Sequence, residues 1–347
     1  MATFQIRIEP SQHQFSANEN QNVLDAALAA GIVLPYSCRS GGCSSCKGKV
    51  LSGEYDAGNA PEQVLTKEEL DEGYTLFCQA IPKSDLVIEA REVRLATDIQ
   101  IRKLPVRVIS IQKPAPDVAV LTLQLPAAED FRYYAGQYID LLLKGDKRRS
   151  FSLATAPGQA QTLELHIRHM PGGYFTDHVF GVGPTQMKER EILRFEGPLG
   201  TFYLREETQK PIIFLASGTG FAPIKAIVEY MIAKNINRPA TLYWGGRRPV
   251  DLYMSDLAKS WESTLPGFKF IPVISDALDE DQWTGRTGFV HQAVLDDHPD
   301  LSGYEVYACG NPAMVEAARH SFCGQAGLPE DAFFMDAFTP SADAMQS

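Results

Sequence analysis

Cys38-Arg39-Ser40-Gly41-Gly42-Cys43-Ser44-Ser45-Cys46 sets three cysteines at C-x4-C-x2-C, and Cys78 follows after 31 intervening residues. That spacing is the one used by a four-thiolate [2Fe-2S] site. Soft thiolates hold iron and delocalise an added electron, and four of them complete the tetrahedra of two sulfide-bridged irons. Gly41 and Gly42 let the loop curl and turn amide hydrogens toward sulfur, while Ser37, Ser40, Ser44 and Ser45 are small enough not to crowd it. A structural zinc site would favour two C-x2-C pairs, and only Cys43 and Cys46 make one.

Working outward, the flanks read as a small domain of about 90 residues. FQIRIEP (4–10) and HQFSA (13–17) alternate as strands, NVLDAALAAG (22–31) is a helix stopped by Gly31, and GKVLSGEY (48–55) and DLVIEAREV (85–93) supply further strands. Residues 1–92 carry 13 acids against 7 bases, and the run from Glu54 to Glu72 holds seven acids against Lys67. Such a run is a solvated face or a dock for a basic partner. The whole chain of 347 residues is 44% apolar and 22% charged, the mark of a globular protein with room for two or three cores. No apolar run reaches the roughly 18 residues that span a bilayer, and MATFQIRIEP has neither the basic flank nor the apolar stretch of a signal peptide. The expectation is a cytoplasmic protein, a monomer with no membrane contact, whose six cysteines serve metal or chemistry rather than cross-links. A net charge of -11 argues against a nucleic-acid partner.

Past a polar stretch ending in Pro105, ATDIQIRKLP (96–105), the pattern changes. Six short alternating segments between Val106 and Gly200 predict an antiparallel barrel. After residue 210, strands such as PIIFLAS and EVYACG alternate with helices, which predicts a parallel, doubly wound sheet.

Within the barrel, Arg149-Ser150-Phe151-Ser152 offers a guanidinium for phosphate, an aromatic face and a hydroxyl. About 20 residues on, Gly172-Gly173-Tyr174-Phe175-Thr176 is a glycine turn opening a helix, where amide hydrogens can meet a pyrophosphate. Together they read as a flavin site. Gly218-Thr219-Gly220-Phe221-Ala222-Pro223 follows a strand and opens a helix, the setting for a dinucleotide-phosphate turn. Pro223 stands where the G-x-G-x-x-G pattern has its third glycine, which disfavours an ordinary Rossmann dehydrogenase. Cys309-Gly310-Asn311-Pro312 is a second strand-to-helix turn at the carboxyl edge of the sheet, where such folds bind ligands, and Cys309 is expected beside the nicotinamide.

In this order the motifs, with GPLG at 197–200 and DAF at 336–338, resemble the ferredoxin-NADP reductase superfamily behind an N-terminal plant-type [2Fe-2S] ferredoxin. The layout is similar to reductase components of bacterial oxygenases. LPYSCRSGGCSSCKGKVLSGEY and RRSFSLATAP look most like the CDP-6-deoxy-delta-3,4-glucoseen reductase family. The resemblance implies a multidomain chain: a ferredoxin-like β-grasp (α+β) at 1–93, a linker at 94–104, an antiparallel FAD-binding β-barrel at 105–207 and an α/β doubly wound NAD(P)H-binding domain at 208–347. It implies that Cys38, Cys43, Cys46 and Cys78 hold the cluster; that Arg149 holds the flavin phosphate; and that Phe151 and Ser152 line the isoalloxazine. Gly173 and Thr176 would hold the FAD pyrophosphate, and Gly218, Thr219, Gly220 and Pro223 would shape the nucleotide turn. Cys309 and Gly310 would flank the nicotinamide, and Phe338 would cover the other flavin face, with a tail of nine residues after it where many relatives end almost at once. Ser152, Cys309 and Phe338 are the candidate catalytic residues.

The three cofactors have a common logic. A nicotinamide gives up two electrons as hydride and a [2Fe-2S] cluster takes one, so FAD between them does both. Electrons then leave to a partner that docks near the acidic ferredoxin domain. A terminal oxygenase is the first expectation, a pyridoxamine-dependent sugar dehydrase the second, and a redox sensor without turnover a third that the complete hydride-handling set opposes. Arg247 and Arg248 follow the strand ATLYWGG where a ribose 2'-phosphate could be met, which suits NADPH, while the resemblance favours NADH.

Overall fold

Alternate burial builds the first sheet. Ile6 and Ile8 of β1 (Thr3–Glu9) and Phe15 and Ala17 of β2 (Gln14–Asn18) face one core, and the two strands pair as a hairpin with Ile6 opposite Phe15. The helix α1 (Val23–Ala29) starts at Asn22, whose Oδ1 accepts the Asp25 amide at 2.7 Å, and the chain leaves it through Gly31 at φ +74°. After β3 (Lys47–Ser52) comes α2 (Lys67–Asp71), opened by a capping box of Thr66 and Glu69, then β4 (Tyr74–Leu76) and β5 (Leu86–Glu89). The sheet order is β2-β1-β5-β3-β4, with β1 and β5 parallel and the other neighbours antiparallel, a β-grasp.

The computed structural model describes residues 2–90, 93–95, 99–158 and 161–339, and the chain divides into two units, Met1–Gln100 and Ile101–Ser347. Residues 91–92 of the strand expected over 85–93, residues 96–98 of the expected linker and residues 340–347 of the tail lie outside the described residues.

In the second unit β6 (Arg102–Ala115) begins inside the stretch where the sequence predicts a linker. Leu104, Val106 and Val108 are all buried, so the two-residue period runs straight through Pro105. Proline is tolerated there because β6 pairs with only one neighbour at that point; its second pairing starts at Arg107. The strands β7 (Val118–Gln124), β8 (Tyr138–Leu142), β9 (Arg148–Ser152), β10 (Thr162–Arg168) and β11 (Ile192–Leu199) join it in the order β9-β8-β11-β6-β7-β10, all antiparallel. A bridge between Leu153 and Leu165 closes the barrel. The short helix α3 (Tyr174–Phe180) follows β10.

Beyond it lies a six-stranded parallel sheet of β12 (Ile212–Ser217), β13 (Ala240–Gly246), β14 (Phe268–Ile274), β15 (Arg286–Thr287), β16 (Glu305–Gly310) and β17 (Phe333–Ala337). Its order, β15-β14-β13-β12-β16-β17, reverses direction between β12 and β16, which makes their carboxyl ends the switch point of the sheet. The helices α4 (Phe221–Lys234), α5 (Ser255–Thr264), α6 (Val290–Asp297) and α7 (Pro312–Gly324) connect the strands. No helix among the described residues is long and apolar enough to cross a membrane.

Candidate functional site

The first candidate site is the cysteine loop. Lys47 pairs with Leu76, and the Phe77 amide donates to Cys46 O at 3.0 Å, so Cys46 and Cys78 emerge side by side from the ends of β3 and β4. Their thiols are hydrogen-bonded to each other, and so are those of Cys38 and Cys43. All six cysteines are free of disulfides, and Cys43, Cys46 and Cys78 are buried. The hydrogen bond from Cys43 holds the Cys38 thiol down to about 5, and the bond from Cys46 lowers Cys78 in the same way. Their partners Cys43 and Cys46 are pushed up by giving those bonds and by burial.

Backbone amides finish the cradle. Ser40 N donates to Cys38 Sγ at 3.4 Å, and the backbone of Gly42 and of Gly41 bonds Cys38 and Cys78. Gly41 has φ +81°, and a Cβ there would sit 3.1 Å from Gln79 Cγ, whose amide reaches Cys78 Sγ at 3.9 Å. No three His, Cys, Asp or Glu side chains among the described residues converge as ligands of one metal ion. Two thiol pairs fit a two-iron cluster, which takes two thiolates at each iron, better than a single tetrahedral zinc.

The second candidate site belongs to the other unit, where the barrel meets the switch point of the parallel sheet. Glycine makes the meeting possible. A Cβ on Gly220 would stand 2.1 Å from Cys309 O, and one on Gly310, at φ +125°, would stand 2.5 Å from Ser217 O. Ser217 Oγ also accepts the Asn311 amide at 2.9 Å, so the Gly218–Gly220 turn and the Cys309–Asn311 turn lock backbone to backbone. Phe221 then stacks on Trp244 with centroids 3.9 Å apart, and Trp244 Nε1 donates to Gly218 O at 3.1 Å, which fixes the start of α4. Pro223 is buried in the first turn of that helix, where a missing amide hydrogen costs nothing.

Ser152, at the end of β9, is buried, and its Oγ donates to Asp336 Oδ2 at 3.3 Å. Asp336 lies on β17 directly opposite Cys309 on β16, and the Phe338 amide donates to Gly310 O at 2.8 Å. The structure therefore gathers Ser152, Cys309 and Asp336, from sequence positions up to 184 residues apart. Burial and the nearby Asp336 carboxylate push the Cys309 thiol well up, so it stays neutral. Asp336 carried no role in the sequence beyond its place in DAF; the usable signal was a lone carboxylate ending a buried strand.

Phe151 is half-buried and packs on Phe175 of α3 with centroids 5.5 Å apart, which brings the R-S-F-S strand beside the Gly172–Thr176 turn. In that turn the Thr176 hydroxyl donates to Met170 O at 2.8 Å and accepts from Met170 N at 3.2 Å. A Cβ on Gly173 would meet Thr176 Oγ1 at 2.6 Å. Arg149 Nη1 donates to Arg148 O at 2.7 Å, and Arg148 pairs with Glu196 and Asp140.

A second polar chain is centred on the buried His166 and Lys225. The Tyr253 hydroxyl, held protonated by burial, donates to His166 Nδ1 (2.7 Å), and His166 Nε2 donates to Glu164 Oε1 (2.8 Å). Lys225 of α4 pairs with Glu164 at 3.2 Å and Glu229 at 2.9 Å and donates to Ala154 O at 3.0 Å. Burial lowers the affinity of His166 for a proton, so the ring is neutral. Periodicity shows these residues only as strand, helix and loop positions.

Three family models match in series: a 2Fe-2S iron-sulfur cluster binding domain over residues 6–83, an oxidoreductase FAD-binding domain over 105–203 and an oxidoreductase NAD-binding domain over 214–320. The chain is 44% identical over 336 residues, 97% of itself and 98% of its counterpart, to the CDP-6-deoxy-L-threo-D-glycero-4-hexulose-3-dehydrase reductase of Yersinia pseudotuberculosis. It is 34% identical over 97% of its length and 98% of its counterpart to reductase component 1 of the terephthalate 1,2-dioxygenase of Comamonas. Among solved structures, the Amycolatopsis cytochrome P450 reductase superposes with a TM-score of 0.77 at 34% identity, over 97% of this chain and 99% of that one. With identity at this level over nearly its whole length, the chain belongs to the iron-sulfur flavoprotein reductases, oxidoreductases that carry a [2Fe-2S] ferredoxin domain ahead of FAD- and NAD-binding domains.

Proposed function

We propose that this chain oxidises NAD(P)H and delivers the electrons one at a time to a CDP-hexulose dehydrase. The observation that carries the redox role is the buried Ser152–Asp336 hydrogen bond beside Cys309, at the switch point of the sheet. When bound, FAD and the [2Fe-2S] cluster supply the exchange between a two-electron donor and a one-electron acceptor. Cys38, Cys43, Cys46 and Cys78 would hold the cluster. Arg149, Gly173 and Thr176 would hold the FAD phosphates, and Phe151 would line its ring.

The chain's own residues do the rest. Ser152 presents a hydroxyl whose proton is directed to Asp336, so the pair can hold or pass a proton at the hydroxyl oxygen. Cys309, fully buried with a neutral thiol, and Gly310, packed against Ser217, would form the floor of the nicotinamide site. Gly218, Thr219, Gly220 and Pro223 shape the pyrophosphate turn. Phe338, half-buried and tethered through its amide to Gly310, would cover the ring and must give way when the nicotinamide stacks.

Identity ranks the acceptors: 44% to the dehydrase reductase against 34% to the dioxygenase component supports the sugar dehydrase, with an oxygenase component as the second reading. Docking would use the ferredoxin domain. A groove of about 350 Å³ lined by Gly58, Pro61, Leu65 and Leu70 lies against Gln79, next to Cys78, and its lining comes from the same stretch of chain, 54–72, that holds the seven acids. The compartment that suits six cysteines without a disulfide among them is the cytoplasm, where the chain would act as a monomer. Mixing the NADH-reduced protein with the dehydrase and, separately, with an oxygenase component would test the acceptor: rapid reoxidation by the dehydrase alone is expected, and rapid reoxidation by the oxygenase alone would reverse the ranking. Glu62→Lys and Glu68→Lys should slow that transfer and weaken its salt dependence; unchanged transfer would remove this face as the dock.

A further inference from the structure

Arg248 stands three residues past Gly245, which pairs with Ser217 at the foot of the Gly218–Gly220 turn. Its loop is tied to that turn. Asp251 Oδ2 accepts the amides of Arg247 and Arg248 at 2.8 and 3.0 Å. Asp251 Oδ1 pairs with Arg168 at 3.4 Å, and the Arg168 guanidinium fills the space beside Gly218, 3.1 Å from where a Cβ would be. A guanidinium at the end of the second strand of such a sheet is placed to read the 2' position of the adenine ribose.

That guanidinium is already engaged. Arg248 Nε donates to Asp281 Oδ2 at 2.6 Å, Nη2 donates to Asp281 Oδ1 at 2.8 Å, and Nη2 also reaches Glu280 Oε1 at 2.9 Å. Asp281 is itself fixed, since its Oδ2 accepts the Leu278 amide at 2.9 Å, and the segment is pinned to the Arg248 loop by Asp276 N to Arg247 O at 3.0 Å. The two-pronged geometry is the one a phosphate would need.

We infer that Asp281 and Glu280 form a carboxylate latch on Arg248 that sets this reductase to accept a nicotinamide dinucleotide with a free ribose 2'-hydroxyl and to reject the 2'-phosphorylated one. The inference rests on the reading of this sheet edge as the dinucleotide site. A 2'-phosphate must displace the fork from Asp281 and then sit beside two carboxylates, whereas a hydroxyl meets neither cost. Arg247 is exposed, with no side-chain ion pair among the described residues, and is the remaining cation of the loop.

The test is equilibrium titration of the holoprotein with 5'-AMP and with adenosine 2',5'-bisphosphate, together with kcat/KM for NADH and NADPH. The wild type should bind the bisphosphate no tighter than 5'-AMP and prefer NADH. Glu280→Gln with Asp281→Asn should tighten the bisphosphate by about tenfold, a gain of ~1.4 kcal/mol from one recovered charge-assisted contact, and shift the kcat/KM ratio toward NADPH. Adding Arg248→Ala should erase both gains. If the ratio stays unchanged in the double variant, or the gain survives loss of Arg248, the latch is wrong while the site stands. If neither adenine nucleotide binds the wild type, the dinucleotide site itself is wrong and the latch falls with it.

Discussion

At the switch point the proposed chemistry turns on single atoms. Asp336→Asn keeps the shape of the Ser152 partner but removes its charge, and should lower kcat for NADH-driven ferricyanide reduction by about tenfold or more with a smaller change in KM. A change confined to KM would reassign Asp336 to binding. Gly220→Ala pushes a methyl carbon into the Cys309 carbonyl and should cost about 3 kcal/mol in thermal unfolding; a stability equal to wild type would mean that the two turns part easily. The glycines were visible in the sequence because a turn between strand and helix calls for them. Asp336 was not, since its contact with Ser152 depends on how the barrel strand meets a strand 184 residues later.

Elements carry the rest of the order. Alternation and glycine turns made the barrel and the parallel sheet legible, and Asn22 and Gly31 bounded α1 as residues of their kinds do. Proline misled at one point: Pro105 marks a break in a linear pattern, yet it sits inside β6 at a position with only one pairing partner. The polar chain of Glu164, His166, Tyr253 and Lys225 was invisible because its members lie on β10, α4 and the loop before α5, which no local pattern connects. Both His166, through burial, and Glu164, through bonds from His166 and Lys225 that outweigh its own burial, have proton affinities lowered by folding. The unfolded chain then binds more protons as pH falls. Stability from His166 is present above its ordinary value near 6.5 and is lost below it, and that from Glu164 is lost at still lower pH. The midpoint of thermal unfolding should therefore fall between pH 7 and 5, and His166→Gln should flatten the upper part of that slope; an identical slope in the variant would place the proton uptake elsewhere.

At the scale of the whole molecule, one chain carries three cofactor domains, and that sequence of domains is its function: a two-electron donor at one end, a one-electron exit at the other. The cysteine spacing and the order of motifs revealed this arrangement. The identity of the acceptor was not legible, because it is read by a surface and not by a motif. Hydride equivalents taken up at the nucleotide domain are expected to leave through the thiolate cluster. Anaerobic titration with NADH, followed by absorbance, tests this most directly. Full bleaching of flavin and cluster should require about 1.5 equivalents of NADH per chain, two electrons for FAD and one for the cluster, and Cys43→Ser should keep the flavin bleaching while cytochrome c reduction disappears. A wild-type protein whose flavin bleaches while its cluster stays oxidised would contradict the account.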